Sequence, residues 1–106
     1  MTDLPSPYKR FVKNHPSLVK LYEDLGAACH EAGPLPEKTR RLIKLGIAIG
    51  DNSEGAVKSH ARQALELGAS PEEIRHAVVL SMTTIGFPGM IAACEWVEEV
   101  LKAKPD

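Results

Sequence analysis

At 106 residues, with 43% hydrophobic and 25% charged positions and a formal net charge of −1, the chain has the composition of one soluble globular domain. Charges of both signs in near balance, with no basic stripe, exclude nucleic acid and an anionic membrane as the main partner, and no apolar run approaches the ~20 residues that span a bilayer. A chain this short builds a small core under a large surface, so burial between subunits is a natural supplement.

The N-terminal Met1-Thr-Asp-Leu-Pro-Ser-Pro lacks the charged-then-apolar order of a secretion signal, which predicts a cytoplasmic protein; residues 1–7, with two prolines, read as a loose arm. A short helical turn is expected around Tyr8 to Lys13, anchored by Phe11 and Val12. His15-Pro16-Ser17 opens a second helix, with proline in its first turn and Leu18, Leu21, Tyr22, Leu25 and Cys29 recurring at helical spacing until Gly33-Pro34 ends it. His15 and His30 mark its two ends, where solvent-facing or capping roles are expected.

Leu35-Pro36-Glu37 starts a third helix, charged through Lys38, Arg40, Arg41 and Lys44 and then apolar from Leu45 to Ile49, so it runs into the core. Gly46 and Gly50 lie four apart on one face, a spacing that sacrifices helix propensity for tight packing. A fourth helix occupies the stretch Asp51 to Gly68. Asn52 or Ser53 caps its start, Glu54 suits the positive end of its dipole, and Gly68 supplies the left-handed stop.

Ser70-Pro71-Glu72-Glu73 is a capping box with proline at the first helical position. It opens a fifth helix, Pro71 to Ile85, that is expected to bury Ile74, Ala77, Val78, Ser81, Met82 and Ile85 until Gly86-Phe87-Pro88 breaks it. A last helix runs from Gly89 to about Lys102. Its first half is apolar almost all round, more than a small domain covers alone, which predicts a partner subunit. No alternating strand pattern competes, so the expected architecture is all-α: a single domain over 1–106, about five to six helices, oligomeric.

The fourth helix carries the functional expectation. At ~100° per residue, Ser53, Val57, His60, Ala61 and Ala64 share one arc, with Glu54, Lys58, Arg62 and Glu66 on another side, so the histidine points inward among small neighbours. Ala56 and Ala64, one turn before and after His60, leave room for a small molecule. Ser53 and His60 are two turns apart and can be joined only through a substrate or water. Cys29 and Cys94 lack metal or CxxC spacing and read as small buried thiols. The four histidines share no ligand spacing, so neither a metal nor another cofactor is expected.

In order, Pro36-Glu-Lys-Thr-Arg-Arg-Leu-Ile-Lys-Leu-Gly-Ile-Ala-Ile, Glu54-Gly-Ala-Val-Lys-Ser-His-Ala-Arg-Gln-Ala-Leu-Glu-Leu-Gly-Ala, Ser70-Pro-Glu-Glu-Ile and Thr83-Thr-Ile-Gly-Phe-Pro resemble the carboxymuconolactone decarboxylase and AhpD-like alkylhydroperoxidase superfamily over about residues 30–101. The resemblance implies an all-α fold assembled as a dimer, trimer or hexamer. In the alkylhydroperoxidase branch a CxxCxxxH motif opens this helix, its cysteines cycling between dithiol and disulfide while a glutamate and the histidine assist proton transfer. Here only His60 is kept: the cysteine positions fall on Ser53 and Ala56, and the upstream glutamate, by ungapped counting, on Arg41. Without a thiolate pair that redox cycle is unavailable. The decarboxylase branch needs no cysteines but usually carries a glutamate four before the histidine, which is again Ala56. Glu54, about 120° round the helix from His60, cannot replace it on the same face and is left to contact a neighbouring subunit.

Three functions follow. In the first, His60 is tuned near neutral pH as general acid or base on a small carbonyl or lactone substrate, with Ser53 and Glu54 as further catalytic candidates, Arg41 pairing with a substrate carboxylate, and Ala56 and Ala64 at the binding wall. In the second, His60 merely holds two helices together and the chain is a non-catalytic oligomer that binds a small metabolite. In the third, a hydroperoxidase works through Cys29 or Cys94, whose apolar settings favour a raised thiol pKa and inertness.

Overall fold

The computed structural model describes residues 6–103, and every regular element among them is a helix: α1 (Ser6–Asn14), α2 (Pro16–His30), α3 (Glu37–Gly50), α4 (Glu54–Glu66), α5 (Pro71–Leu80), α6 (Met82–Ile85) and α7 (Phe87–Ala103). They fall into two compact units that divide after Pro34. Most of the expected arm, residues 1–5, lies outside the described residues. None of the helices is long and apolar enough to cross a membrane.

In the first unit α1 begins at Ser6, earlier than the expected Tyr8. The Phe11 and His15 rings meet with centroids 4.8 Å apart, and the His15 side chain makes no cap bond to α2. Pro16 opens α2 as expected, but the helix stops at His30, where the Glu31 N–H bonds back to the Ala27 carbonyl at 3.1 Å, three residues before Gly33-Pro34. No residue of α2 is buried. Leu18, Leu21, Tyr22 and Leu25 all face water, and Cys29 is exposed rather than the buried thiol its spacing suggested.

The second unit is a bundle in which α3 packs most extensively on α4, and α4 and α5 pack on α7. Its core is Leu45, Ala48 and Ile49 of α3, Val57, Ala61 and Ala64 of α4, Ala69, Ile74 and Val78 around α5, and Met90, Ala93, Val97 and Val100 of α7. Among the described residues no polar or charged one is buried, so the core holds no unpaired charge of the kind that is costly to desolvate.

Local signals account for the helix ends. The Ser53 hydroxyl accepts the Ala56 N–H at 3.3 Å, capping α4. At the other end Gly68, with φ +100°, lets its own N–H reach the Leu65 carbonyl at 3.2 Å and the Ala69 N–H reach Ala64 at 2.9 Å, the paired bonds that satisfy the last carbonyls of a helix. The box before α5 is complete: the Glu73 N–H donates to Ser70 Oγ at 3.0 Å and the Ser70 N–H to Glu73 Oε1 at 2.9 Å.

Three expectations are corrected. The helix read as Pro71 to Ile85 is interrupted at Ser81, whose hydroxyl donates to the Val78 carbonyl at 2.6 Å and so competes with the helical ladder; Met82 and Ile85 beyond the break are exposed, not buried. The next helix starts at Phe87, ahead of Gly89, because proline at 88 is tolerated in a first turn where no N–H is needed. Gly46 and Gly50 do not mark tight packing, since a Cβ on either would meet nothing within 4 Å.

Glu73 and Glu98 contribute to the acid response of this unit. The Ser70 N–H and the Lys38 ammonium, 3.0 Å from Glu73, hold the Glu73 carboxyl below its ordinary value of 4.5, and Arg75, donating at 2.7 and 3.1 Å, does the same to Glu98. A carboxyl lowered in the folded state stabilises it above the unfolded value and loses that contribution as pH falls through the native value. The melting temperature is therefore expected to hold from pH 7 to 5 and to fall below about 4.5. In Glu73→Gln the fall should be shallower, as a thermal melt series in pH will report.

Candidate functional site

His60 lies on α4, half-buried, with its Nδ1 inside the protein. On a helix turning ~100° per residue, the buried Val57, Ala61 and Ala64 fall to one side of it, and the half-buried Ser59 and Gln63 to the other. The imidazole thus stands at the margin of the core face, between apolar packing and a polar flank, rather than at the centre of the core.

That flank is built across the seam between α3 and α4. Arg41 of α3 donates from Nη1 to Gln63 Oε1 at 2.6 Å, and Gln63 Nε2 donates in turn to Ser59 Oγ at 3.1 Å. A second guanidinium nitrogen, Nη2, lies 3.7 Å from Glu37 Oε2, while Nε is buried and has no hydrogen-bond partner among the described residues. A planar guanidinium held at two of its corners is pre-oriented, so little rotamer entropy remains to be lost when it meets an anion. Ser59 precedes His60 directly and Gln63 follows it by three residues, so two neutral hydrogen-bonding groups share that flank of α4, and Arg41 of α3 is bonded to one of them.

The other sequence candidates are placed differently. Ser53, half-buried, accepts the Ala56 N–H with its hydroxyl oxygen as the cap of α4. Glu54 is exposed and paired with Lys58 at 2.8 Å; Lys58 reaches on to Glu99 of α7, also at 2.8 Å, and these two carboxylates raise the pKa of the Lys58 ammonium. Glu54 thus lies on the α4–α7 side, where Lys58 is the residue that links the two helices. Ala56 is half-buried one turn before His60 and packs against the core. Ala64 is 1% exposed and belongs to the core. Arg41 is the candidate whose placement adds most, since it brings Gln63 and Ser59 with it. Neither of these was singled out from sequence: their spacing of four beside His60 was visible, but not the 22-residue reach of Arg41.

An open groove of about 460 Å³ lies between α3, α5 and α6, lined among others by Thr39, Leu42, Ile43, Gly46, Leu80 and Ile85. None of the six sequence candidates lines it. Cys94 packs its sulfur 3.3 Å from Met90 Sδ, and burial pushes its thiol pKa up, the opposite of an activated thiol. Both cysteines are free. Among the described residues no three potential metal ligands converge.

A sequence model of the carboxymuconolactone decarboxylase family matches residues 16–99. An uncharacterized protein of Methanocaldococcus jannaschii is 31% identical over 88 residues, 83% of this chain and 82% of that protein. An uncharacterized protein of Haemophilus influenzae is 38% identical over 52 residues, which span 49% of this chain and only 46% of that relative. The crystal structure of an apo carboxymuconolactone decarboxylase family protein from Legionella pneumophila aligns with a TM-score of 0.78 at 25% identity, covering 92% of this chain and 87% of that one.

Proposed function

This chain belongs to the carboxymuconolactone decarboxylase family, and on that footing we propose that His60 performs acid–base chemistry, decarboxylation or proton transfer, on a small carbonyl or lactone compound. The observation that carries the proposal is the Arg41–Gln63–Ser59 chain beside a half-buried imidazole. Arg41 holds the carboxylate or lactone oxygen of the substrate, Gln63 and Ser59 fix the guanidinium and offer neutral hydrogen bonds, and Ala56 leaves space one turn before His60. When a carboxylate departs as carbon dioxide, the C–C bonding pair is left on the adjacent carbon and delocalised into its carbonyl; the imidazolium of His60 delivers the proton that quenches it. In a proton transfer without decarboxylation, the neutral imidazole takes that proton first. Ser53 and Glu54 play supporting parts in this scheme, as the α4 cap and as the partner of Lys58.

The test is a panel of small lactones and oxo-carboxylates assayed with the parent chain and with the His60→Gln and Arg41→Met variants. Methionine keeps most of the apolar stem of arginine but removes the guanidinium and its charge. Loss of one charge-assisted bond, about 1.5–3 kcal/mol, predicts that Arg41→Met raises KM by roughly 10- to 100-fold with a smaller effect on kcat. An unchanged KM for every turned-over substrate would remove Arg41 from the site.

A second reading, a non-catalytic metabolite-binding oligomer, is favoured by one observation: Arg41 already has Gln63 and Glu37 as partners and has a structural use without substrate. A hydroperoxidase is disfavoured, because Ser53 and Ala56 stand at the dithiol positions and Cys94 is held in its thiol form. In either favoured reading the chain works as a homo-oligomer, supported by the large aliphatic side chains left exposed on α3, α5 and α7.

A further inference from the structure

We propose that the Nε–Nη2 edge of Arg41 is a subsite for one carboxylate group, and that Glu37 is an internal carboxylate that competes with a substrate for this edge. The inference rests on the reading of Arg41 as the substrate anchor and deepens it. It narrows the group bound there to a carboxylate rather than a lactone oxygen, and it makes Glu37 the residue that sets how readily such a group binds. It is independent of the proton chemistry at His60.

The edge of a guanidinium made by Nε and Nη2 presents two N–H groups side by side, a match for the two oxygens of a carboxylate. This protein contains that match in full: Arg75 of α5 donates from Nε to Glu98 Oε2 at 2.7 Å and from Nη2 to Glu98 Oε1 at 3.1 Å. Arg41 presents the same edge differently. Its Nη1 is engaged by Gln63 Oε1 at 2.6 Å, but Glu37 Oε2 stays 3.7 Å from Nη2, beyond hydrogen-bond length. The buried Nε has no hydrogen-bond partner among the described residues. A carboxylate seated as Glu98 is on Arg75 would bond both nitrogens at once, whereas a lactone oxygen offers the edge one neutral acceptor in place of two charged ones.

Glu37 stands where a competitor must. It lies one turn before Arg41, in the first turn of α3, and its side chain is 50% exposed against 20% for Arg41, so it can turn to water without disturbing the core. An exposed ion pair of this spacing holds its geometry weakly. The bond from Arg41 to Gln63, whose amide is fixed in turn by Ser59, keeps the guanidinium plane in place when Glu37 leaves. All four residues belong to the second unit, so this geometry is internal to the bundle. A group with the charge and the paired oxygens of Glu37 itself is what displaces it best.

The test follows the Arg41 Nε–H signal in proton–nitrogen correlation spectra of the full chain, identified by its loss in Arg41→Met, during titration with sodium acetate at constant ionic strength. Acetate is expected to shift that signal to saturation. Glu37→Gln, which keeps the volume and removes the competing charge, is expected to lower the acetate dissociation constant about 2- to 5-fold. Glu37→Ala is expected to do the same and keeps the test valid if the glutamine variant fails to fold. Asp51→Asn removes an equal charge at the far end of α3, roughly 20 Å along the helix and beyond the ~10 Å screening length of 0.1 M salt, and should leave the constant unchanged. A signal that acetate leaves unmoved in the parent and in both Glu37 variants overturns the subsite. Equal tightening in Asp51→Asn, or none in either Glu37 variant, overturns the competition by Glu37. Turnover enters none of these readouts. A chain that passes them but turns over no substrate loses the acid–base reading and keeps this inference, and a chain that fails them while His60→Gln abolishes turnover does the reverse.

Discussion

Replacing His60 by glutamine is expected to lower turnover by ~10²–10⁴-fold, the range over which a positioned proton donor or acceptor contributes, while the protein stays folded. Glutamine roughly preserves the volume and one hydrogen bond but cannot exchange a proton near neutral pH. If His60 carries the chemistry, the parent kcat/KM should show a pH inflection that depends on the imidazole. That inflection should vanish from the residual activity of the variant. A purely structural histidine gives the reverse pattern: a melting loss of the ~1–3 kcal/mol that accompanies a poorly replaced buried bond, with ligand binding and its pH profile intact. His60 sits at the rim of the core face, half-buried, beside the buried Val57, Ala61 and Ala64. A variant that melts like the parent and keeps all activity would refute both roles.

The readability of the sequence divides along a physical line. Helix ends set by local chemistry were legible: Ser70 with Glu73 and Gly68 act within a few residues of themselves, and each makes the bonds its position promises. The buried faces of α3 and α4 were legible too, since Leu45, Ala48 and Ile49, and Val57, Ala61 and Ala64, repeat at helical spacing. What periodicity cannot report is which apolar face finds a partner. Leu18, Leu21, Tyr22 and Leu25 have the same spacing as a core face, yet all are exposed. The apolar first half of α7 divides in the same way: Met90, Ala93 and Val97 are buried within the bundle, whereas Phe87 and Ile91 stay exposed. The candidate site was legible at His60 and Arg41, by resemblance and ungapped counting. Its link through Gln63 was not, because that bond joins residues 22 apart in the chain and depends on how α3 lies against α4.

Leu45→Ala is expected to be among the most destabilising single substitutions, because Leu45 is fully buried on α3 and lies one turn beyond Arg41, on the helix that packs most extensively on α4. Truncation removes the transfer free energy of the missing carbons and leaves a void that close-packed neighbours fill only in part, which together cost ~2–5 kcal/mol. For a domain of this size each kcal/mol shifts the midpoint by roughly 4–8 °C, so a loss on the order of 10–30 °C should appear in a thermal melt. The same void loosens the seam that holds the Arg41 guanidinium against Gln63. Below its own transition, Leu45→Ala should therefore show a raised KM with the pH profile of His60 retained, a milder copy of Arg41→Met. Leu45→Ile, which keeps the volume, should cost under about 1.5 kcal/mol and leave KM alone. If Leu45→Ala melts as expected but binds substrate as tightly as the parent, the arginine is held by Gln63 and Glu37 alone, and packing along α3 plays no part in shaping the site.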